Sequence, residues 1–162
     1  MAKKMYDKSQ QHTLIHELIE SHQSMKGALL PLLHAIQEKL GFIPSDAVGE
    51  IAKGLNLSRA EVHGVITYYH FFRDEPAGKH VVQICRAEAC QACGSNELLA
   101  LAENILGCKS NETSSSRCVT LESAYCLGLC ASSPALQVDD KLYARMSAEK
   151  LKKILIQLET AQ

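Results

Sequence analysis

Five of the seven cysteines in this 162-residue chain fall into two tight groups. CRAEACQAC sets Cys85, Cys90 and Cys93 at C-x4-C-x2-C, and CLGLC sets Cys126 and Cys130 at C-x3-C. Thiolates are soft donors, and grouped thiolates hold zinc or iron–sulfur centres. Structural disulfides are the competing use, but an odd number of cysteines leaves one over from any full pairing. The first residues, MAKKMYDKSQQHT, are basic with no apolar run behind them, which does not read as a secretory signal. The expectation is a cytoplasmic, reducing setting, where close thiols serve metal or redox chemistry.

Spacing alone leaves the metal open. C-x4-C and C-x3-C both suit a tetrahedral zinc site, and a [2Fe–2S] cluster also takes four thiolates. C-x4-C-x2-C with a distant fourth cysteine is also the plant-type ferredoxin spacing, which would use Cys85, Cys90 and Cys93. That reading leaves CLGLC half used and gives the helical first half of the chain no place. Cys85 and Cys90 would stand about 140° apart on a helix of 3.6 residues per turn. The segment is therefore expected to be a loop if both ligate, whereas one turn can bring Cys126 and Cys130 together. The neighbours Ala87, Ala89, Ala92, Gly94, Gly128, Ala131, Ser132 and Ser133 are small. Small side chains let backbone N–H groups approach sulfur, and such hydrogen bonds help set the potential of an iron–sulfur centre. Cys108 and Cys118 read as small buried hydrophobes. Cys93 reads as a core residue, a spare ligand or an oxidation-prone neighbour.

These groups need elements to position them. Residues 12–72 read as helices. Apolar residues recur at Leu14, Ile15, Leu18 and Ile19. ALLPLLHAIQEKLG runs to a stop at Gly41, and IPSDAVGEIAKG to one at Gly54. Ser58 and Glu61 form a capping box before Val62, Val65 and Ile66. Arg73–Gly78 is turn-rich and marks a boundary. Beyond it the period changes. KHVVQIC reads as a strand ending at Cys85, and SNELLALAENILG as a capped helix from Ser95 to Gly107. CKSNETSSS reads as a polar loop and RCVTLE as a strand. ALQVDD and KLYARM read as strands joined at Asp139-Asp140, with Pro134 starting the first. SAEKLKKILIQLE reads as a last helix with Ser147 as its N-cap. Each thiol group thus begins where a predicted strand ends.

Other classes of function find little support. With 17 basic and 18 acidic residues scattered along the chain, no patch calls for a phosphate backbone, so nucleic-acid binding is not expected. No apolar run reaches the roughly 20 residues of a membrane span. His12, His16, His34, His63 and His70 lack partner motifs and read as surface or core residues. No G-x-S-x-G, P-loop or G-x-G-x-x-G pattern occurs, so no nucleotide site or nucleophile is expected.

CRAEAC followed by YCLGLC resembles the thioredoxin-like [2Fe–2S] ferredoxins. Within them it resembles the small iron–sulfur subunit that accompanies an NADH-binding flavoprotein in respiratory complex I, NAD-linked hydrogenases and soluble NAD-dependent formate dehydrogenases. LLPLLHAIQEKLGFIP and LNLSRAEVHGVITYYHFF look like that subunit's helical region, and GKHVVQIC through SAEKLKKIL like its thioredoxin-like domain. The resemblance implies an α+β chain: an N-terminal helical bundle over 1–76, then a thioredoxin-like [2Fe–2S] domain over 77–162. It implies one [2Fe–2S] cluster on Cys85, Cys90, Cys126 and Cys130, one-electron transfer, and no catalytic acid, base or nucleophile. CRAEACQ, LSRAEVHGV and YCLGLCA look most like the gamma subunit of formate dehydrogenase. The implied partners are a flavoprotein NADH-binding iron–sulfur subunit and a larger molybdenum- or tungsten-containing formate dehydrogenase subunit.

Overall fold

The computed structural model describes residues 6–160, and the chain divides between Pro76 and Ala77 into two compact units. Residues 1–5 and 161–162, at the outer ends of the two expected domains, lie outside the described residues; they include the start of the basic N-terminal stretch.

The first unit holds four helices: α1 (Lys8–His22), α2 (Leu29–Leu40), α3 (Val48–Gly54) and α4 (Arg59–Tyr68), with a 3₁₀ turn at Ser45–Ala47. α1 begins before the expected apolar stripe, because Asp7 and Gln10 form a capping box at its start. The Ser58–Glu61 box caps α4 as the sequence predicts: Glu61 N–H donates to Ser58 Oγ at 3.2 Å, and Ser58 N–H donates to Glu61 Oε2 at 2.7 Å. The Ser58 N–H and then the Ser58 hydroxyl, both donating to Glu61 Oε2, hold the Glu61 carboxyl below the usual carboxylate range. Ile15, Leu32, Leu33, Ile36, Ile51 and Val62 are buried in one core, each worth roughly 1.5–3 kcal/mol of apolar transfer. Gly54 has a different role from the expected helix stop. A Cβ there would collide with Ile19 of α1, so glycine lets α3 approach α1. The left-handed residue after α3 is Asn56, at φ 54°. Buried Gln37 fastens the end of the unit, donating from Nε2 to Phe71 O at 2.7 Å and accepting from Arg73 N–H at 2.8 Å.

The second unit is a five-stranded sheet with three helices. Its elements are β1 (His80–Cys85), α5 (Glu88–Ala92), α6 (Ser95–Leu106), β2 (Glu112–Thr113), β3 (Val119–Ala124), β4 (Leu136–Val138), β5 (Lys141–Tyr143) and α7 (Ala148–Thr160). The strand order is β2-β3-β1-β4-β5. β1 and β3 run parallel, with Cys85 opposite Ala124, and the other pairs are antiparallel. Alternation puts Val82 and Ile84, Val119 and Leu121, and Leu136 and Val138 into one core with Leu98, Leu99 and Ala102 of α6 and Leu151 and Leu155 of α7. Buried Thr120 and Glu122 alternate with Val119 and Leu121 on β3, and Gln83 Nε2 donates to Glu122 Oε2 at 2.8 Å.

Four local expectations change here. The polar loop after Cys108 contains β2, too short for a periodicity signal. α6 begins at Ser95 as expected, but its N-cap, Gly94, offers no side-chain cap, and Ser95 is a fully buried first-turn residue. β4 begins at Leu136 rather than Pro134, which follows a cis peptide bond. The segment after Cys85 is not all loop. Cys85 closes a strand while Cys90 lies within α5, so the two never had to share a helical face.

Candidate metal centre

The parallel pairing of β1 and β3 decides where the thiols meet. Both strands end at the same level, and the chain leaves each into one thiol group. Arg86 N–H donates to Ala124 O at 2.6 Å, and Cys85 N–H donates to Ala135 O at 3.0 Å. These two bonds tie the end of β1 to both ends of the CLGLC segment.

Cys85, Cys90 and Ala135 form a small buried cluster, with Ala87, Leu127 and Leu129 packed against it. Leucines of the second thiol segment therefore roof the thiols of the first. Cys85 and Cys90 are each only 2% exposed, whereas Cys126 and Cys130 are exposed. Gly128 sits between the outer pair at φ +75°, a left-handed conformation that favours glycine. Its N–H donates to Cys126 Sγ at 3.4 Å. Cys130 opens a 3₁₀ turn through Ser132.

The four thiols are arranged as two pairs. Cys126 Sγ and Cys130 Sγ lie 3.9 Å apart. Two thiolates on one tetrahedral metal with bonds of about 2.3 Å would be about 3.8 Å apart, so the outer pair already has a metal's bite. Cys85 and Cys90 lie together in one small buried cluster. The outer segment packs on the inner pair through Leu127 and Leu129. Among the described residues, no three His, Cys, Asp or Glu side chains surround a single metal position. A dinuclear cluster, with two thiolates for each iron, matches donors grouped two and two.

Electrostatics distinguish the members. Burial pushes the Cys85 thiol up, against the pull of the Ala87 and Leu127 backbone N–H groups. Burial also pushes Cys90 up, but the Ser133 hydroxyl, Cys85 and the Ala135 backbone outweigh it, and Cys90 is lowered. Cys130 is raised, first by its hydrogen bond with Cys126 and then by that neighbour's charge. The site thus has backbone and hydroxyl donors aimed at sulfur and no acid or base among them.

The other three cysteines differ in burial. Cys93 is exposed just beyond α5, and its N–H donates to Cys90 O at 3.2 Å. Cys108 is buried in the sheet core, where burial and then Glu112 raise its thiol. Cys118 is half-buried against the same core. Among the histidines, His12 Nδ1 lies 3.2 Å from Glu50, and His34 stacks against Phe71 with ring centres 4.9 Å apart. In the sequence Ser133 stands out only as a small residue; its contact with Cys90 depends on the fold. The same holds for Leu127 and Leu129, whose roofing role carries no motif. Among the described residues, no helix is long and apolar enough to cross a membrane.

Comparison with known proteins gives the context. The model of the thioredoxin-like [2Fe–2S] ferredoxin family matches residues 15–159. A curated relative, an NADH-quinone oxidoreductase subunit of Rhizobium meliloti (strain 1021), is 32% identical over 85% of this chain and 82% of its own length. The corresponding NADH-quinone oxidoreductase subunit of Aquifex aeolicus (strain VF5) is 33% identical over 88% of this chain and 89% of its own. Among solved structures, an NAD+-reducing [NiFe]-hydrogenase in the H2-reduced state matches with a TM-score of 0.67 at 17% identity. That match covers 83% of this chain and 23% of the hydrogenase chain, and at such identity it is a likeness of fold.

Proposed function

This chain belongs to the thioredoxin-like [2Fe–2S] ferredoxin family, whose members bind one [2Fe–2S] cluster, and from that premise we propose that Cys85, Cys90, Cys126 and Cys130 hold it. The observation that supports this reading is that two thiol pairs leave the ends of adjacent parallel strands, with the leucines of one segment packed on the thiols of the other. When bound, the cluster supplies a store for one electron. The chain's own residues do the rest. Cys85 and Cys90 anchor from the buried side, and Leu127 and Leu129 exclude water above them. The N–H groups of Gly128, Ala87 and Leu127 offset negative charge on sulfur.

The chain is an iron–sulfur electron-transfer subunit of an NADH-linked oxidoreductase, exchanging single electrons with a flavoprotein partner. It contributes no catalytic acid, base or nucleophile. The finer reading is the gamma subunit of a soluble NAD-dependent formate dehydrogenase, working beside a molybdenum- or tungsten-containing subunit. Its support is the wording of CRAEACQ, LSRAEVHGV and YCLGLCA. The names of the curated relatives favour a second reading, the equivalent subunit of an NADH-quinone oxidoreductase.

Two measurements test this. Purified protein is expected to be brown, to contain iron and acid-labile sulfide, and to bleach with dithionite; a colourless protein with stoichiometric zinc rejects the cluster. Affinity capture with mass spectrometry separates the parent complexes. A molybdenum- or tungsten-containing large subunit supports the formate reading, and quinone-reducing subunits support the second.

A further inference from the structure

Ser133 touches both halves of the site. Its hydroxyl oxygen lies 3.4 Å from Cys90 Sγ, and the hydroxyl donates to Cys130 O at 2.8 Å. The residue follows the 3₁₀ turn that Cys130 opens and precedes the buried Pro134-Ala135 pair, so its backbone is held on both sides. Ala135 is packed directly against Cys85 and Cys90. Its two contacts sit in different thiol segments.

A sulfur that ligates metal does so as thiolate and carries no hydrogen. Between Cys90 Sγ and Ser133 Oγ the only available hydrogen is then the hydroxyl's, shared with Cys130 O. We propose that Ser133 is a positioning residue that sets the reduction potential of the centre through a shared hydrogen bond to the Cys90 sulfur. The inference rests on the cluster assignment above. Its physical basis is differential. One-electron reduction adds one negative charge to the cluster and its sulfurs, no bond is made or broken, and a hydrogen bond to sulfur strengthens as that charge grows. The hydroxyl therefore favours the reduced form and raises the potential. It also braces the two thiol pairs against each other.

The test is a potentiometric titration of the full chain with its cluster, followed by visible absorption, with dithionite as reductant. Ser133→Ala is expected to lower the reduction equilibrium constant about fivefold, on the order of 40 mV at 59 mV per tenfold for one electron. Ser133→Thr, which keeps the hydroxyl, is expected to stay near the parent. An alanine variant with the parent's potential overturns the inference, and so does a threonine variant that shifts as far as alanine. If the alanine variant does not retain a cluster, Ser133→Gly is titrated against the same two outcomes. A parent protein without iron and sulfide overturns the cluster assignment instead, so the two failures are distinct.

Discussion

Cys85 and Cys90 lie under a roof of leucine at 2% exposure, while Cys126 and Cys130 face outward. The inner pair belongs to a regular strand and a short helix; the outer pair belongs to a turn built around Gly128. The inner thiols are part of a hydrophobic cluster as well as proposed donors, so their loss costs packing too. The outer thiols contribute little to packing. One half of the site is thus built into the fold and the other is laid over it.

The largest effect expected from this contrast comes from serine substitution. Cys126→Ser and Cys130→Ser are expected to abolish or strongly perturb the visible spectrum while the apoprotein keeps its parent melting temperature. Cys85→Ser and Cys90→Ser are expected to remove the cluster and also destabilise the apoprotein, since each replaces a thiol packed among Ala135, Leu127 and Leu129 with a smaller and more strongly hydrated hydroxyl. Iron and sulfide assays with thermal melts of all four variants check this. Equal stability across them erases the contrast. Cys93→Ser, Cys108→Ser and Cys118→Ser are the controls, expected to keep the spectrum; loss in Cys93→Ser with retention in Cys126→Ser would instead favour the plant-type ligand set.

Thiol labelling sharpens the contrast without mutation. In apoprotein under native conditions, Cys93, Cys126 and Cys130 are expected to alkylate several-fold faster than Cys85, Cys90 and Cys108. Peptide mass spectrometry over time reads the order. Fast modification of Cys85 would show that the leucine roof opens freely.

Gly128→Ala probes the outer turn alone. Its left-handed backbone costs a residue with a Cβ about 1 kcal/mol, although beyond its chain neighbours no atom lies within 4 Å of where that Cβ would stand. Loss of iron to a chelator is expected to quicken several-fold with little change in apoprotein melting.

The smallest effect concerns Cys108, a buried thiol outside both pairs. Burial raises its pKa in the folded state, so above about pH 8.5 the unfolded chain releases a proton that the folded chain retains. Stability is therefore present below that pH and falls as pH rises through the folded value. Cys108→Ala is expected to flatten the slope in denaturant titrations between about pH 8 and pH 10.

Much of this contrast is already written in the chain. Strand periodicity in HVVQIC and VTLESA marks the two strands, and the spacing of thiols after them marks two groups. The capping box at Ser58 and the stops at Gly41 and Gly107 are local signals and are legible as such. What stays hidden is non-local. No pattern in Gly54 speaks of Ile19, because that contact joins two helices packed side by side. The two residues of β2 hold too little period to announce a strand. The hydroxyl of Ser133 and the leucines at 127 and 129 gain their partners only when the sheet brings Cys90 beneath them.

The parallel β1–β3 ladder also governs when the site can come into being. Gln83 and Glu122, opposite each other in it, are 39 positions apart in the chain. The closing of so long a loop precedes any reward from the contacts it makes. A nascent chain that has made only CRAEAC holds half a set of donors and no means of gathering the rest. On the proposed ligand set, assembly of the centre waits for that tertiary step rather than for synthesis of either thiol segment.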